Sequence, residues 1–279
     1  MNNIDHYAVM GNPIEHSQSP RIHSLFAEQT HQSLTYEAIL VAVDGFTAAL
    51  DKFRVEEGKG LNITVPFKRQ AWQQAEQCSE RAQLAGAVNT LIRTETGWFG
   101  DNTDGVGLLR DLTKNHQLNL TGKRLLILGA GGATRGVIAN LLEQQPAELR
   151  VANRTVSKAI ELAKLFADLG NVSGCGLEDI GIQAFDCIIN ATAASLQGQS
   201  IDLPAGCMNE QTCVYDMMYA AEPTPFMQWA EQQGVTQCYD GLGMLVEQAA
   251  ESFYLWRDVR PQTQPVIDNI RQHLLSQMG

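Results

Sequence analysis

Three clusters of polar residues stand at places where strand-like runs of this chain give way to loops. One is Ser17-Gln18-Ser19. The second runs Asn62-Ile63-Thr64-Val65-Pro66-Phe67-Lys68. The third is Gly86-Ala87-Val88-Asn89-Thr90 taken with Asp101-Asn102-Thr103-Asp104-Gly105. Loops beyond strand ends are where α/β proteins bind ligands. Together the clusters offer hydroxyls, amides, one ammonium and one carboxylate, an inventory suited to a small, hydroxyl-rich anion. Each also has a plainer reading. Ser19 before Pro20 is explained as a helix N-cap, Lys68 as an exposed lysine opening a helix, and Asp104 as the cap of a helix starting near Gly105.

A different chemistry is written between residues 124 and 158. Leu125-Leu126-Ile127-Leu128 is a continuous apolar run suited to a buried parallel strand. It leads into Gly129-Ala130-Gly131-Gly132-Ala133-Thr134. Glycines there permit a tight turn and let backbone N–H groups approach a pyrophosphate at a helix N-terminus. The G-x-G-x-x-G/A fingerprint breaks at Thr134, so the loop is the weaker half of the signal. The second strand is the stronger half. In NAD-binding units an Asp or Glu near its end bonds the ribose 2′-hydroxyl. Here Val151-Ala152 is followed by Asn153-Arg154-Thr155, with Lys158 a turn later. Arg154 can pair with a 2′-phosphate, and Asn153 and Thr155 can donate to it; a charge-assisted bond is worth roughly 1.5–3 kcal/mol. NADP(H) is expected over NAD, with Thr155 also a candidate cap for the helix that follows.

The elements that must position these residues follow from periodicity and turn signals. Strands are expected at 7–10, 36–43 and 60–65, with a hairpin from Val88 to Phe99. From Arg124 onward the pattern becomes that of βαβ units, with strands at 149–152, 186–190, 212–216 and 236–239. Helices are expected at 46–57, 133–144, 155–169, 224–233, 243–257 and 265–277. The chain reads as α/β: an N-terminal α/β substrate domain over 1–104 and a Rossmann-type, doubly wound NADP-binding domain over 105–240. The helices of 241–279 are expected to return to the first domain.

Composition narrows the function classes. The 279 residues carry a formal net charge of -11, which argues against a basic nucleic-acid surface and against a polybasic membrane anchor. No apolar run approaches the ~18–20 residues that span a bilayer, and the N-terminus lacks signal-peptide character. The six cysteines show neither C-x-x-C nor zinc-ribbon spacing, so reduced, buried thiols in a cytoplasmic protein are expected. The six histidines form no H-E-x-x-H pattern, and no metal is expected. A monomer or homodimer acting on a small molecule fits this profile.

Taken in order, the motifs resemble the shikimate dehydrogenase family over nearly the whole chain. Besides the segments above, the resemblance rests on Gly11-Asn12-Pro13, His16-Ser17-Gln18-Ser19-Pro20, Asn190-Ala191-Thr192, Tyr215-Asp216-Met217, Tyr219, Asp240-Gly241-Leu242-Gly243-Met244-Leu245 and Gln248-Ala249-Ala250. The resemblance implies reversible, NADPH-dependent reduction of 3-dehydroshikimate to shikimate in aromatic amino-acid biosynthesis. It implies substrate contacts at Ser17, Ser19, Asn62, Thr64, Lys68, Asn89, Asp104, Tyr219 and Gln248. Cofactor contacts are implied at the loop 129–133, at Asn153 to Lys158, and at Met217 and Gly241. One departure stands out: where the family often has Ser-Ser after Asn190-Ala191-Thr192, this chain has Ala193-Ala194.

Hydride transfer to a ketone leaves an alkoxide that needs a proton, and Lys68 with Asp104 is the pair to supply it. A neighbouring carboxylate favours the charged form of a lysine, which suits proton donation or oxyanion stabilisation. Two rival readings remain. One is an NAD-using quinate/shikimate dehydrogenase, against which Arg154-Thr155 weighs. The other is a non-catalytic NADP-binding regulator, against which the retention of both Lys68 and Asp104 weighs.

Overall fold

The computed structural model describes residues 4–192 and 203–277. The chain forms two compact units, Met1–Gly107 with Val246–Ile270, and Leu108–Leu245 with Arg271–Gly279.

The first unit is built on a mixed sheet. Its strands are Asp5–Gly11 (β1), Leu34–Leu40 (β2), Gly60–Ile63 (β3), Gln77–Cys78 (β4), Thr90–Arg93 (β5) and Trp98–Asp101 (β6), in the order β2-β1-β3-β5-β6-β4. β1 pairs in parallel with β2 and β3, whereas β3, β5 and β6 pair antiparallel. The apolar side chains of β1 and β3 (Ala8, Met10, Leu61, Ile63) pack against Phe46, Leu50 and Phe53 of helix Phe46–Val55 (α2, after Ser19–Thr30, α1). Phe67, Ala71 and Trp98 complete that core. Burying apolar side chains in this way is the main favourable term holding the sheet to its helices, at about 25 cal/mol per Å² of apolar surface.

The second unit is an all-parallel sheet. Arg124–Leu128 (β7), Glu148–Ala152 (β8), Val172–Cys175 (β9), Cys187–Asn190 (β10), Cys213–Asp216 (β11) and Gln237–Asp240 (β12) lie in the order β12-β11-β10-β7-β8-β9. Counted from β7, that is the 3-2-1-4-5-6 order of a doubly wound dinucleotide fold, with its switch point between β7 and β10. The apolar run Leu125–Leu128 of β7 and all four residues of β10, three apolar ones and Asn190, are buried, as strands covered on both faces must be.

The Rossmann-type fold expected for the second half is present. Several local expectations are corrected. Ser19 does not cap α1: it is the first helical residue, Gln18 stands at the N-cap without a side-chain bond to the helix, and Ser17 Oγ accepts the Ser19 N–H at 3.3 Å. Thr155 makes no side-chain cap to helix Val156–Lys164. That helix ends sooner than expected, followed by a separate 3₁₀ turn at Ala167–Leu169. β9 is a strand that the sequence signals do not announce. Its sequence, Val-Ser-Gly-Cys, is poor in strand formers, and Gly174 is required because a Cβ there would sit 2.3 Å from the Ala159 carbonyl oxygen. Residues from Val246 to Ile270 group with the first unit, and those from Arg271 group with the second. Ala193-Ala194 lies outside the described residues.

Candidate active site

In the first unit, Pro66 ends the strand run and Lys68 opens the short helix Lys68–Gln74 (α3), while Glu80–Ala85 (α4) precedes β5 and Asp104 opens Asp104–Arg110 (α5) directly after β6. Backbone bonds bring the two ends together. Val88 N–H donates to the Lys68 carbonyl at 2.9 Å, Ile63 N–H to the Asn89 carbonyl at 2.8 Å, and Asn89 N–H to the Asp101 carbonyl at 3.1 Å. Lys68 Nζ then lies 2.6 Å from Asp104 Oδ2. Asn89 Nδ2 donates to the other carboxylate oxygen at 2.8 Å and also approaches Thr103 Oγ1 (2.9 Å) and Gln248 Oε1 (3.2 Å). The Asn89 side-chain oxygen accepts the Thr103 N–H at 2.9 Å. The carboxylate is therefore fixed from both sides, and the ammonium is the more open partner, with side-chain exposures of 32% for Lys68 and 13% for Asp104.

Most of the other expected substrate residues belong to the same unit as this pair. Asn62 is buried at the end of β3, its Nδ2 donating to Ser252 Oγ (3.0 Å) and to the Asn89 carbonyl (3.2 Å). Ser252 and Gln248 come from helix Leu242–Arg257, labelled α9 after Gly132–Leu142 (α6), Val156–Lys164 (α7) and Pro225–Gln232 (α8). Thr64 follows β3, its N–H donating to the Met10 carbonyl. Gly11 is needed opposite it, since a Cβ there would stand 2.4 Å from Thr64 Cγ2. Ser19 opens α1 in the same unit, and Ser17 stands two residues before it. Tyr219 alone of the set lies in the second unit, in the segment after β11, where burial raises its pKa and Asp240 adds to the rise.

A supporting network has almost no signature in the sequence. Asp101 is almost fully buried at the end of β6; Arg81 grips both its oxygens at 2.7 Å, and Asn102 N–H donates to it at 2.7 Å. Burial alone would raise the Asp101 pKa, but Arg81, Ser79 and that N–H bring it below the usual carboxylate range. Arg81 and Arg260 also bracket Glu251 of α9. Thus the loop bearing Asp104 is anchored at its first residue by a buried ion pair. The only hint in the sequence is an acidic residue just before Asn102-Thr103-Asp104.

In the second unit the glycine loop fits a pyrophosphate. Gly129 has φ +101°, and a Cβ on it would press on Thr192 Cγ2 at 2.9 Å, so only glycine turns the chain here. A Cβ on Gly131 or Gly132 would meet nothing within 4 Å, which leaves open space above the first turn of α6. No side chain caps that helix, so its N–H groups face this space. Thr134, the break in the fingerprint, is fully buried and its Oγ1 donates to the Gly129 carbonyl at 2.8 Å. A hydroxyl bond replaces the close packing that a third glycine would allow. Past β8, Asn153 Nδ2 bonds the Thr155 carbonyl at 2.9 Å, and Arg154, Thr155 and Lys158 are exposed. Neither cation has an acidic partner among the described residues, as a 2′-phosphate site needs. Met217 is buried after β11, and Gly241 is held against it: a Cβ on Gly241 would lie 2.2 Å from the Met217 carbonyl oxygen. Among the described residues no group of three His, Cys, Asp or Glu could hold a metal. No helix among them is long and apolar enough to cross a membrane.

Known proteins share this arrangement along the chain. Residues 9–91 match the model of a shikimate dehydrogenase substrate binding domain, 111–200 that of shikimate / quinate 5-dehydrogenase, and 241–271 that of a shikimate 5'-dehydrogenase C-terminal domain. A protein of Cellvibrio japonicus named Shikimate dehydrogenase (NADP(+)) is 54% identical over 97% of this chain and 98% of its own length. The chain belongs to the shikimate dehydrogenase family. A solved family member from Thermus thermophilus, in complex with NADP(H) and shikimate, superposes with a TM-score of 0.85 at 31% identity, over 96% of this chain and 99% of that one. The Ael1 enzyme from Pseudomonas putida superposes with a TM-score of 0.90 at 44% identity, over 95% and 97%.

Proposed function

We propose that this chain is an NADP-dependent shikimate dehydrogenase, reducing 3-dehydroshikimate reversibly to shikimate for aromatic amino-acid biosynthesis, with Lys68 and Asp104 as its acid–base pair. The observation that carries the reading is the 2.6 Å contact of Lys68 Nζ with a carboxylate fixed on its other oxygen by Asn89. NADPH, when bound, supplies the hydride for the ketone carbon. The alkoxide oxygen that develops then takes a proton from the Lys68 ammonium, and in the oxidative direction Lys68 Nζ receives the hydroxyl proton. A donor held in place where charge develops lowers the barrier without reorganisation during the reaction. Asp104 orients that ammonium and offers carboxylate oxygens to substrate hydroxyls. In the first unit, Ser17, Ser19, Asn62, Thr64, Asn89 and Gln248 supply neutral hydroxyls and amides for the remaining hydroxyls and the carboxylate of the substrate.

The glycine loop 129–133 would hold the pyrophosphate, Arg154 and Lys158 the 2′-phosphate with Asn153 and Thr155, and Met217 and Gly241 the region beside the nicotinamide. Support comes from the open space above Gly131 and Gly132 and from the absence of an acid at the end of β8. The test is a spectrophotometric assay of shikimate and quinate oxidation with NADP and NAD in parallel. Turnover of shikimate with NADP well above the other three combinations is expected. No turnover despite binding of both ligands would leave a regulator, and preference for quinate with NAD would overturn the assignment.

A further inference from the structure

Asn62 reaches the substrate site with one side of its carboxamide already spent. Its Nδ2 donates to Ser252 Oγ at 3.0 Å and to the Asn89 carbonyl at 3.2 Å, with Thr90 Oγ1 at 3.4 Å, so both N–H bonds have inward acceptors. Its Oδ1 accepts from Tyr36 Oη at 2.7 Å. A carboxamide oxygen has two lone pairs and can accept a second hydrogen bond while Tyr36 holds the first. In this orientation the group can meet a ligand only as an acceptor. Turned over, it would offer N–H groups instead and leave the Tyr36 hydroxyl facing a donor.

We propose that Tyr36 is a positioning residue of the substrate site, its hydroxyl locking the Asn62 carboxamide in the orientation that accepts a hydrogen bond from a substrate hydroxyl. The inference rests on the substrate reading above and adds a residue to it.

What surrounds the tyrosine supports this role. Tyr36 sits on the edge strand β2, where its ring is held by a stack on His23 at 4.2 Å and 6° between planes. Trp256 lies against both rings, 6.3 Å from Tyr36 and 5.3 Å from His23. His23 is 1% exposed and its Nε2 has no hydrogen-bond partner among the described residues, which is costly for a buried polar atom. Burial drives the imidazole pKa down to about 3, opposed by the Asn62 side chain, so the ring stays neutral and makes an uncharged platform. Burial likewise raises the Tyr36 phenol well above its usual range, opposed by the Ser19 side chain. The phenol keeps its proton and remains a donor, and it stands between two of the expected substrate residues, Ser19 and Asn62.

The test is steady-state kinetics of Tyr36→Phe, which keeps the ring and its stack and removes only the hydroxyl. One neutral hydrogen bond corresponds to roughly a two- to tenfold effect. The expected result is a rise in KM for shikimate of about fivefold, with kcat within about twofold and KM for NADP unmoved. A purely structural defect would lower the amount of active enzyme and leave KM where it was. In an Asn62→Ala background, Tyr36→Phe is expected to raise KM no further, because the group it orients is gone. An unchanged KM in Tyr36→Phe, or effects of the two substitutions that simply multiply, would overturn the proposal. Wild-type protein that does not turn over shikimate would sink the functional reading and this inference with it; active wild type with an unmoved variant sinks the inference alone.

Discussion

Asn89 Nδ2 lies 2.8 Å from Asp104 Oδ1, the carboxylate oxygen that Lys68 does not take. The same asparagine accepts the Thr103 N–H through its oxygen, so it fixes both the backbone and the side chain of the loop that carries the acid–base pair. Removing it, as in Asn89→Ala, leaves Asp104 free to swing about its contact with Lys68. A hydrogen bond to a charged group is worth roughly 1.5–3 kcal/mol. kcat/KM for shikimate is expected to fall by about tenfold or more, with KM for NADP unchanged. Steady-state kinetics checks this, and a variant within twofold of wild type would mean that Lys68 alone sets the carboxylate.

Arg154 and Lys158 present two exposed cations past the end of β8, where an NAD-binding chain carries an acid. Arg154→Ala is expected to lower the ratio of NADP to NAD efficiency by about ten- to hundredfold, the equivalent of one charge-assisted bond. Both efficiencies are measured on the same preparation. An unchanged ratio would remove Arg154 from 2′-phosphate recognition.

His23 sets a pH dependence of stability. Its pKa moves from 6.5 to about 3 on folding, because burial penalises the charged ring. The unfolded chain therefore binds a proton that the folded one refuses between those values. The stability contribution is complete above pH 6.5 and drains away as pH falls toward 3. Tyr36, the titratable group stacked on the ring, stays protonated throughout this window. His23→Phe keeps a buried ring without the titration. Urea unfolding at pH 6.5 and pH 5 should show wild type losing roughly 1.5 kcal/mol more than the variant over that step. Parallel losses would show that the imidazole is not buried neutral.

Gly11 holds Thr64 in place by having no side chain. A Cβ there would stand 2.4 Å from Thr64 Cγ2 and 2.9 Å from Ile14 Cδ1, so Gly11→Ala must displace Thr64 or the end of β1. Overpacking of this kind costs about 1–3 kcal/mol. The expected outcome is a lower thermal midpoint together with a several-fold higher KM for shikimate. A loss of stability with KM unmoved would separate Thr64 from the substrate.

Much of this was legible in the sequence because it is written in local signals. The buried runs of β7 and β10, the glycines at 129–132 and the missing acid after β8 each fix a piece of the second unit without reference to anything distant. Lys68 and Asp104 were legible as types in loops, and the clusters around them as an inventory. Beyond the pairing of Lys68 with Asp104, relations between residues far apart in the chain could not be read. The hold of Arg81 on Asp101, of Ser252 on Asn62 and of Tyr36 on the same carboxamide depends on strand order and on α9, which separations of 20, 190 and 26 residues do not reveal. β9 was missed for the opposite reason. Its residues are weak strand formers, and the sheet, with α7 packed close against Gly174, makes them a strand.

The most direct measurement on the acid–base pair is kcat for shikimate oxidation by Lys68→Ala, alongside equilibrium binding of shikimate and NADP to the same variant. Loss of a positioned acid–base group lowers rates by about 10²–10⁴-fold. A fall of at least about 10²-fold in kcat with NADP still bound at near wild-type affinity is the expected result. A kcat within a few-fold of wild type would contradict it, and Lys68 would have no part in the chemistry.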